Sequence, residues 1–457
     1  MKKVFTLLWA AVATMAAFAQ TEPAIELQAE VDGNERALNV SLADDGQVQV
    51  DWGNGTLVNY SVPKYDGYNE IEMTGTVEGD GKVKIYGDGI VYFGCTSRVD
   101  GAQVLSLDVT KATALQELYA NANKIATLDL TNNVELTTAD VQNNQLATLD
   151  ISKNVNLTSL TLSKNLLTGI DITNNQKLAT LYVSDNHFAG TWDLSANPNL
   201  KSLYALNNEL TSVVLGAKTA AKPFFNFNNN KLESLDATGI EDVANATLFL
   251  MGNQLTALQL PEGKLKTLNI SKNNFTLATL PATTVAKNLT YAPQNDYAIN
   301  DLYYAVDDVL DLSSQTSDVL NTTFAVLKSD GTALEEGTDY TQEGGKITFL
   351  TSQDAVYVTM ASAAYPKFTG SNVYKTTLAQ VALPSGISAT KAAGVKIAAA
   401  NGAVAISGLS QGDAITVATA GGAVVASLKA SDAQARIQAG HGLYIVSVNG
   451  KATKVVL

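Results

Sequence analysis

An asparagine recurs eight times through the middle of this chain of 457 residues, at intervals of 20 to 23 positions. Apolar or small residues stand three and five positions before nearly every copy, as Leu160 and Leu162 do before Asn165. The recurring residues are Asn123, Asn144, Asn165, Asn186, Asn208, Asn230, Asn253 and Asn273. A repeat of this period marks one structural unit that stacks on copies of itself, so the pattern constrains about 180 residues at once.

The spacing matches L-x-x-L-x-L-x-x-N, and the segment resembles the leucine-rich repeats. Alternation of apolar and polar residues predicts a short strand in each repeat with one face buried. Successive strands are expected to stack in parallel and to bury a core that is continuous along a solenoid. At the corner after each strand, the asparagine amide is expected to bond backbone groups that the corner buries. The ladder of eight asparagines is therefore predicted to be structural.

A second pattern, in which Asp stands between two apolar residues before Thr or Ser, interleaves with the first. It begins at Leu107-Asp108-Val109, so the array starts near residue 100, and it predicts an extended segment on the other side of each coil. The aspartate column comprises Asp108, Asp129, Asp150, Asp171 and Asp193. These carboxylates stand one strand apart, whereas a hard cation needs six or more converging oxygens. We therefore expect them to cap the neighbouring turns and expect no metal site.

A repeat of 21 residues is too short for a strand and a full helix, and here the chain resembles the repeats of internalin-J-like bacterial surface proteins. Such repeats often carry a buried cysteine three positions before the asparagine. This chain has Ala, Val, Leu, Phe or Ile at that position, so the resemblance is one of repeat type. The single Cys95 cannot form an internal disulfide, and its neighbours at 91–94 predict burial.

The chain begins with a pattern typical of a secretory signal peptide, which we predict for residues 1–19. Two lysines precede an apolar run, and Ala17-Phe18-Ala19 has the small residues of a cleavage site. No later window reaches about 18 consecutive apolar residues, so no transmembrane span is expected.

The last segment, residues 395–457, alternates in short strands with glycine turns, which predicts a small β-sandwich. It resembles a type IX secretion sorting domain, most specifically in Gly442-x-Tyr444 and in a final run that contains Lys451 and Lys454. The resemblance implies contact with the secretion machinery, export across the outer membrane, removal of this domain and attachment of the mature protein to the cell surface. An ordinary terminal β-domain is the alternative.

The remaining segments complete a fold class that is mainly β. Residues 20–98 alternate like strands and are predicted to form an N-terminal β cap over the leucine-rich repeat solenoid, which spans residues 99–284. Residues 285–383 contain short strands separated by turns, which predicts an immunoglobulin-like β-sandwich. Residues 384–394 are predicted to be a linker before the small C-terminal β-sandwich.

Composition and motifs argue against nucleic acid as a partner and against catalysis. Lys and Arg number 30 against 44 Asp and Glu, and a net charge of −14 does not suit phosphate binding, which needs clustered positive charge. The two histidines, His187 and His441, have no catalytic partners in the sequence, and no phosphate loop, zinc spacing or nucleophile elbow occurs. We therefore predict a monomeric protein that is not an enzyme and has no cofactor.

The concave sheet face is the predicted binding surface, at the positions six, four and two before each asparagine. Tyr182 and Tyr204 occupy adjacent strands with Leu206 beside them, and exposed aromatic clusters often mark interfaces. The predicted ligand-binding residues are Tyr119, Asp140, Tyr182, Tyr204, Leu206, Phe249 and Met251. The alternative is that Tyr182 and Tyr204 are ordinary surface tyrosines of a β structure.

The predicted function is recognition or adhesion at the cell surface, with an extracellular protein of host or bacterial origin as partner. A glycan-binding role in nutrient capture is the first alternative, and a structural surface-layer component is the second. Oligosaccharide binding that depends on Tyr182 and Tyr204 would indicate the first, and self-association without a ligand would indicate the second.

Overall fold

The computed structural model describes residues 22–67, 69–96, 103–216, 221–299, 303–382, 394–400, 403–419, 423–440 and 442–456. The predicted signal peptide, His441 and nearly all of the predicted linker lie outside these residues. The chain divides into two compact units, Met1–Asn226 and Phe227–Leu457. Short 3-10 helices in the described part of the chain are Val243–Asn245, Ser313–Gln315 and Gly370–Asn372. None of the described helices is long and apolar enough to cross a bilayer.

The described part of the first unit contains strands β1 to β16. In chain order they are β1 Ile25–Ala29, β2 Glu35–Leu42, β3 Gly46–Asp51, β4 Leu57–Val62, β5 Ile71–Thr76, β6 Lys82–Tyr86, β7 Ile90–Gly94, β8 Val104–Asp108, β9 Glu117–Tyr119, β10 Thr138–Asp140, β11 Ser159–Thr161, β12 Thr180–Tyr182, β13 Ala189–Asp193, β14 Ser202–Tyr204, β15 Glu209–Val214 and β16 Phe224–Asn226. One sheet has the order β4-β3-β6-β1-β8, and a longer one runs β5-β2-β7-β9-β10-β11-β12-β14-β16. β13 and β15 form a separate parallel pair.

The longer sheet, which we call the repeat sheet, carries the stacked repeats. Its strands β9, β10, β11, β12, β14 and β16 are parallel and in register. The middle residue of each is buried and stands beside the middle residue of the next, as Leu160 stands beside Leu181. β7 adds a parallel strand beside β9, and β2 lies antiparallel to β7, so strands from residues 20–98 cover the first repeat strand. The described residues therefore form a mainly β solenoid, as predicted.

Each corner asparagine of the first unit bonds the backbone of two coils. Asn144 donates from Nδ2 to the carbonyl oxygens of Ala120 and Val141 at 2.9 and 3.0 Å, and its Oδ1 accepts the N–H of Ile125 at 3.0 Å. The preceding Asn143 has a φ of 54°, a left-handed conformation that turns the chain out of the strand. Other corner residues with positive φ in this unit are Ala122, Lys164, Asp185 and Asn207. The amides thus satisfy groups that the corners bury.

A second ladder of buried asparagines runs along the other side of the coils. Its members in the first unit are Asn133, Asn154, Asn175 and Asn197. Asn154 donates from Nδ2 to the carbonyl oxygens of Leu130 and Asn133 at 3.0 and 2.8 Å. The aspartate column stands just before this ladder, where Asp129 Oδ1 accepts the backbone N–H of Thr131 at 2.9 Å and its hydroxyl at 2.6 Å. The aspartates therefore cap turns, as expected, while the second ladder is a feature that the sequence analysis did not identify.

The described part of the second unit contains strands β17 to β36. In chain order they are β17 Ser234–Asp236, β18 Thr247–Phe249, β19 Ala257–Gln259, β20 Leu265–Asn269, β21 Ala286–Thr290, β22 Tyr303–Ala305, β23 Val309–Asp311, β24 Thr323–Lys328, β25 Tyr340–Glu343, β26 Lys346–Phe349, β27 Gln353–Ala361, β28 Tyr374–Lys375, β29 Ala379–Ala382, β30 Lys396–Ala400, β31 Ala403–Ser407, β32 Ala414–Thr419, β33 Val424–Lys429, β34 Gln434–Gln438, β35 Leu443–Val448 and β36 Lys451–Val456. The sheets after the repeats run β22-β29-β27-β24 with β28 beside β27, then β23-β26-β25, β30-β31-β34 and β33-β32-β35-β36.

The second unit has a parallel sheet in the order β18-β20-β21, and this sheet continues past residue 284 because β21 pairs in register with β20. Gln294 stands 21 residues after Asn273 and occupies the corner position of this additional coil. It donates from Nε2 to the carbonyl oxygens of Ile270 and Tyr291, and its Oε1 accepts the N–H of Asn273 at 3.2 Å. Glutamine carries the same amide on a longer side chain, so a pattern defined by asparagine misses this coil.

A buried aromatic cluster packs the sheets after the repeats against the last coils. Tyr291 lies 5.5 Å from Tyr365 and 5.2 Å from Phe368 between ring centroids. The Tyr365 hydroxyl donates a hydrogen bond to the carbonyl oxygen of Leu280 at 2.8 Å, and both groups are buried. The end of the solenoid is therefore covered by protein rather than by solvent.

The C-terminal strands β30 to β36 enclose a hydrophobic core of their own. Its fully buried members include Val404, Ile406, Val417, Val446 and Val455. Lys396 Nζ lies 3.6 Å from an Asp308 carboxylate oxygen and 5.1 Å from the ring centroid of Tyr304, so β30 contacts the preceding sheets. The immunoglobulin-like class of residues 285–383 and the sandwich class of residues 395–457 stay predictions.

Candidate functional site

The predicted binding residues of the first unit lie on the face of the repeat sheet that is opposite the core, which we call the open face. Its positions are six, four and two before each corner asparagine. The predicted binding residues of the first unit are all half-buried, and they are Tyr119, Asp140, Tyr182, Tyr204 and Leu206. Phe249 and Met251, the predicted binding residues at the same positions in the second unit, are also half-buried. Because their neighbours along each strand fill the core, these side chains are the ones a ligand could contact.

Three rings on the open face of the first unit form what we call the central aromatic row. The ring centroids of Tyr182 and Tyr204 are 4.7 Å apart and meet edge to face at 75°. Those of Tyr204 and Phe224 are 5.0 Å apart and stacked at 24°. Phe224 was not among the predicted residues, although its place six positions before Asn230 puts it in one of the three columns of the open face.

Tyr92 of β7, Tyr119 of β9 and Tyr65 of the loop between β4 and β5 form what we call the N-terminal tyrosine row. The ring centroids of Tyr65 and Tyr92 are 5.9 Å apart, and those of Tyr92 and Tyr119 are 5.3 Å apart. Glu117 joins the row because its Oε1 accepts the Tyr65 hydroxyl at 2.8 Å and its Oε2 accepts the Tyr119 hydroxyl at 3.1 Å. Burial, with the Glu117 carboxylate beside it, raises the pKa of Tyr65 and of Tyr119 well above the usual value. Both hydroxyls therefore stay protonated and act as donors.

Gly94 helps to bring this row together. β7 pairs with β9 so that Tyr92 stands beside Glu117 and Gly94 stands beside Tyr119. A Cβ at Gly94 would lie 3.2 Å from the Cβ of Asn39 and 3.5 Å from the Tyr92 ring. The position without a side chain is thus filled by the Tyr92 ring, which leans towards Tyr119. Tyr65 and Tyr92, which precede the repeats, were not predicted from the sequence; the alternation within β7 was an available signal for Tyr92 alone.

The open face of the first unit is acidic. From β9 to β16 its three columns contain the carboxylates Glu117 and Asp140 and no Lys or Arg. Asp140 Oδ1 accepts the backbone N–H of Gln142 at 3.2 Å, and its Oδ2 accepts the side-chain amide of the same residue at 3.1 Å. Burial raises the pKa of Asp140, and the bonds from Gln142 oppose that effect. All partners of both carboxylates within the described residues are neutral donors.

The residues considered for catalysis do not form a reactive centre. Cys95 is 2% exposed, and burial raises the pKa of its thiol to about 12, the reverse of what activates a nucleophile. His187 is exposed at a repeat corner. Among the residues that the structure describes, no group of three or more His, Cys, Asp or Glu could hold a metal ion.

The residues of the predicted sorting motif lie on the last two strands. Tyr444 is buried in β35, and its hydroxyl donates to the carbonyl oxygen of Gly440 at 3.0 Å. Gly442 is exposed just before that strand, and Lys451 is exposed at the start of β36. Lys454 stands beside Ile445 in the same strand pair. Tyr444 therefore contributes to packing in this domain, and the sorting role stays a prediction.

No protein-family model and no curated protein matches this chain. Solved structures similar to it include the functional domain of InlJ from Listeria monocytogenes, at 19% identity and a TM-score of 0.36 over 61% of this chain and 69% of that one. InlP from Listeria monocytogenes is similar at 18% identity and a TM-score of 0.36, over 60% and 76% of the two chains. YopM, a leucine-rich effector protein from Yersinia pestis, is similar at 21% identity and a TM-score of 0.32, over 41% of this chain and 57% of that one. These similarities concern the repeat fold alone.

Proposed function

We propose that this protein recognises an extracellular protein through the open face of its repeat sheet and catalyses no reaction. The observation that carries the proposal is the pair of aromatic rows on one face of one in-register sheet. Tyrosine and phenylalanine present large, rigid contact areas at a low cost in conformational entropy, and they are enriched at the centres of protein interfaces. Six half-buried rings on one sheet face therefore support recognition of a partner.

The dimensions of the open face fit an extended segment or the side of a small domain. Tyr119 and Tyr182 are three strands apart in the parallel sheet, which places them about 14 Å from each other. From β9 to β16 the sheet spans about 24 Å. An extended chain advances about 3.3 Å per residue, so roughly four residues of a partner would connect the two rows.

We also place this recognition at the cell surface. The features that support this location are the signal-peptide pattern at residues 1–19 and the C-terminal segment with Gly442, Tyr444, Lys451 and Lys454. In this proposal the protein is exported through the type IX machinery, loses its C-terminal domain and acts as a monomer bound to the surface. The partner then comes from the host or from another bacterium.

Glycan binding is the second candidate, and one observation favours it. Tyr204 and Phe224 are stacked within 24° of parallel, and half-buried rings of this kind can serve as platforms for the apolar faces of sugars. A glycan ligand would make the same surface a site for nutrient capture.

The test is a binding array of extracellular proteins and glycans, probed with the chain from Gln20 to Leu457. The variant Tyr182→Ala with Tyr204→Ala should lose at least about tenfold in affinity for a protein partner, because truncation of central aromatic anchors removes most of an interface's binding energy. Tyr297→Ala with Tyr357→Ala removes two half-buried rings from the second unit and is the matched control. Protein binding that survives in the double variant would overturn the proposal, and glycan binding lost in it would favour the second candidate.

A further inference from the structure

The N-terminal tyrosine row differs from the central aromatic row because carboxylates accompany it. Glu117 lies within the row, and Asp140 stands beside Tyr119 on the next strand. Glu117 and Asp140 are on adjacent parallel strands and two positions apart in register, so their Cα atoms are about 8 Å apart. A single elongated cation could therefore contact both carboxylates at once.

The two carboxylates have partners but no counterion among the described residues. Glu117 accepts two tyrosine hydroxyls, and Asp140 accepts two groups of Gln142, all of them neutral. Each carboxylate oxygen can accept two hydrogen bonds, so acceptor positions remain on both groups. A carboxylate that is partly removed from water and lacks a cation is stabilised when a cation arrives.

The tyrosine rings add a second attraction for the same kind of ligand. The faces of aromatic rings attract cations, and the planar guanidinium of arginine also stacks on them. Tyr65, Tyr92 and Tyr119 are all half-buried, so part of each ring is open to a ligand. The hydroxyls of Tyr65 and Tyr119 hold Glu117 in one orientation, which reduces the entropy lost when a ligand binds.

We propose that the surface formed by Tyr65, Tyr92, Glu117, Tyr119 and Asp140 binds an arginine or lysine side chain of the protein partner. The inference rests on the proposed function and specifies one contact within it. The occupant follows from charge complementarity, because an uncharged glycan would leave both carboxylates without a counterion. A metal ion is a poorer fit, because a hard cation needs six or more oxygens and two carboxylates supply at most four.

The test uses two small probes and the chain from Gln20 to Leu457. N-acetyl-arginine amide should bind with an affinity of about 1 mM, and N-acetyl-citrulline amide, which has the same shape without the charge, should bind at least about tenfold more weakly. The double variant Glu117→Gln with Asp140→Asn removes both charges while keeping side-chain volume. It should lower the affinity for the arginine probe by about tenfold or more. NMR shifts of the tyrosine ring protons report binding.

The control is Asp129→Asn with Asp150→Asn, which makes the same change in net charge on the opposite side of the coils. It should leave binding of the arginine probe unchanged. The unfolding midpoints of the double variant and of the single variants Glu117→Gln and Asp140→Asn are measured as well, and midpoints equal to that of the native chain would show that a loss of binding does not come from loss of the fold. Equal binding of the two probes, or full binding by the Glu117 and Asp140 double variant, would overturn the inference.

The outcome separates the inference from the proposed function. A protein partner that needs Tyr182 and Tyr204, found together with an arginine probe that does not bind, leaves the proposed function in place and refutes this contact. If every protein interaction on the array survives loss of Tyr182 and Tyr204, the proposed function fails, whatever the arginine probe does.

Discussion

The hydroxyl of Tyr374 donates a hydrogen bond to the backbone carbonyl oxygen of Phe275 at 3.1 Å and so joins positions 99 residues apart. Phe275 lies two residues after Asn273, the last corner asparagine, and Tyr374 belongs to β28 in the sheets that follow the repeats. Both residues are almost fully buried. This bond and the aromatic cluster around it attach the sheets that follow the repeats to the last coils of the solenoid.

Tyr374→Phe should lower the free energy of unfolding by about 1–3 kcal/mol, because the variant leaves the Phe275 carbonyl buried without a donor. The ring and its packing remain, so the change isolates the hydroxyl. Urea denaturation measures the effect. Tyr297→Phe removes a hydroxyl from a half-buried tyrosine and should change stability by less than about 0.5 kcal/mol. Equal effects of the two variants would contradict the role assigned to the Tyr374 bond.

Asn165→Ala should lower the free energy of unfolding by about 3 kcal/mol or more, since three buried backbone groups lose their partner. Its Nδ2 donates to the carbonyl oxygens of Val141 and Leu162 at 3.0 and 2.9 Å, and its Oδ1 accepts the N–H of Leu146 at 3.0 Å. The comparison is Asn132→Ala, which removes one exposed bond and should have an effect below about 1 kcal/mol. Similar losses at both positions, measured by urea denaturation, would show that the corner amide has no special role.

The aspartate column should make the fold sensitive to acid. Hydrogen bonds from the Thr or Ser two positions later lower the pKa of Asp129, Asp150 and Asp171 below the usual value of an aspartate. A lowered pKa in the folded state means that the carboxylates stabilise the fold above their unfolded pKa and lose this effect as the pH falls through the folded value. Asn at all three positions keeps the cap without titrating. This triple variant should lose less stability than the native chain between about pH 5 and about pH 2. Thermal unfolding at each pH measures the loss, and identical losses in the two proteins would contradict the prediction.

The repeat pattern in the sequence was sufficient to predict the solenoid and which strand side chains face its core. Within one coil, alternation decides which side chains face the core, so Leu160 could be assigned to the core and Tyr182 to the open face from their distances to the next asparagine. The same rule holds in each coil because the strands stay in register. The solenoid and the residue columns of its open face therefore follow from a local pattern.

The N-terminal tyrosine row could not be predicted in this way, because its members come from different parts of the chain. Tyr65 and Glu117 are 52 residues apart, and no period connects them. Their meeting depends on tertiary structure: the loop that carries Tyr65 lies against Leu42 of β2, β2 pairs with β7, and β7 pairs with β9, which carries Glu117. The coil that ends at Gln294 was missed for a different reason: its amide has the expected spacing but belongs to a glutamine, whereas the pattern was defined by asparagine.

The ladder of corner amides also determines how such a protein can change its length. Each asparagine bonds its own coil and the one before it, as Asn165 does with Leu162 and Val141. Loss of part of a coil would leave amides and carbonyls facing the wrong groups, whereas loss of residues 145–165 as a whole would place Leu166 directly after Asn144 and keep every contact type. Gene duplication or deletion can therefore lengthen or shorten the open face in steps of one coil, about 4.8 Å each, without any change to the core.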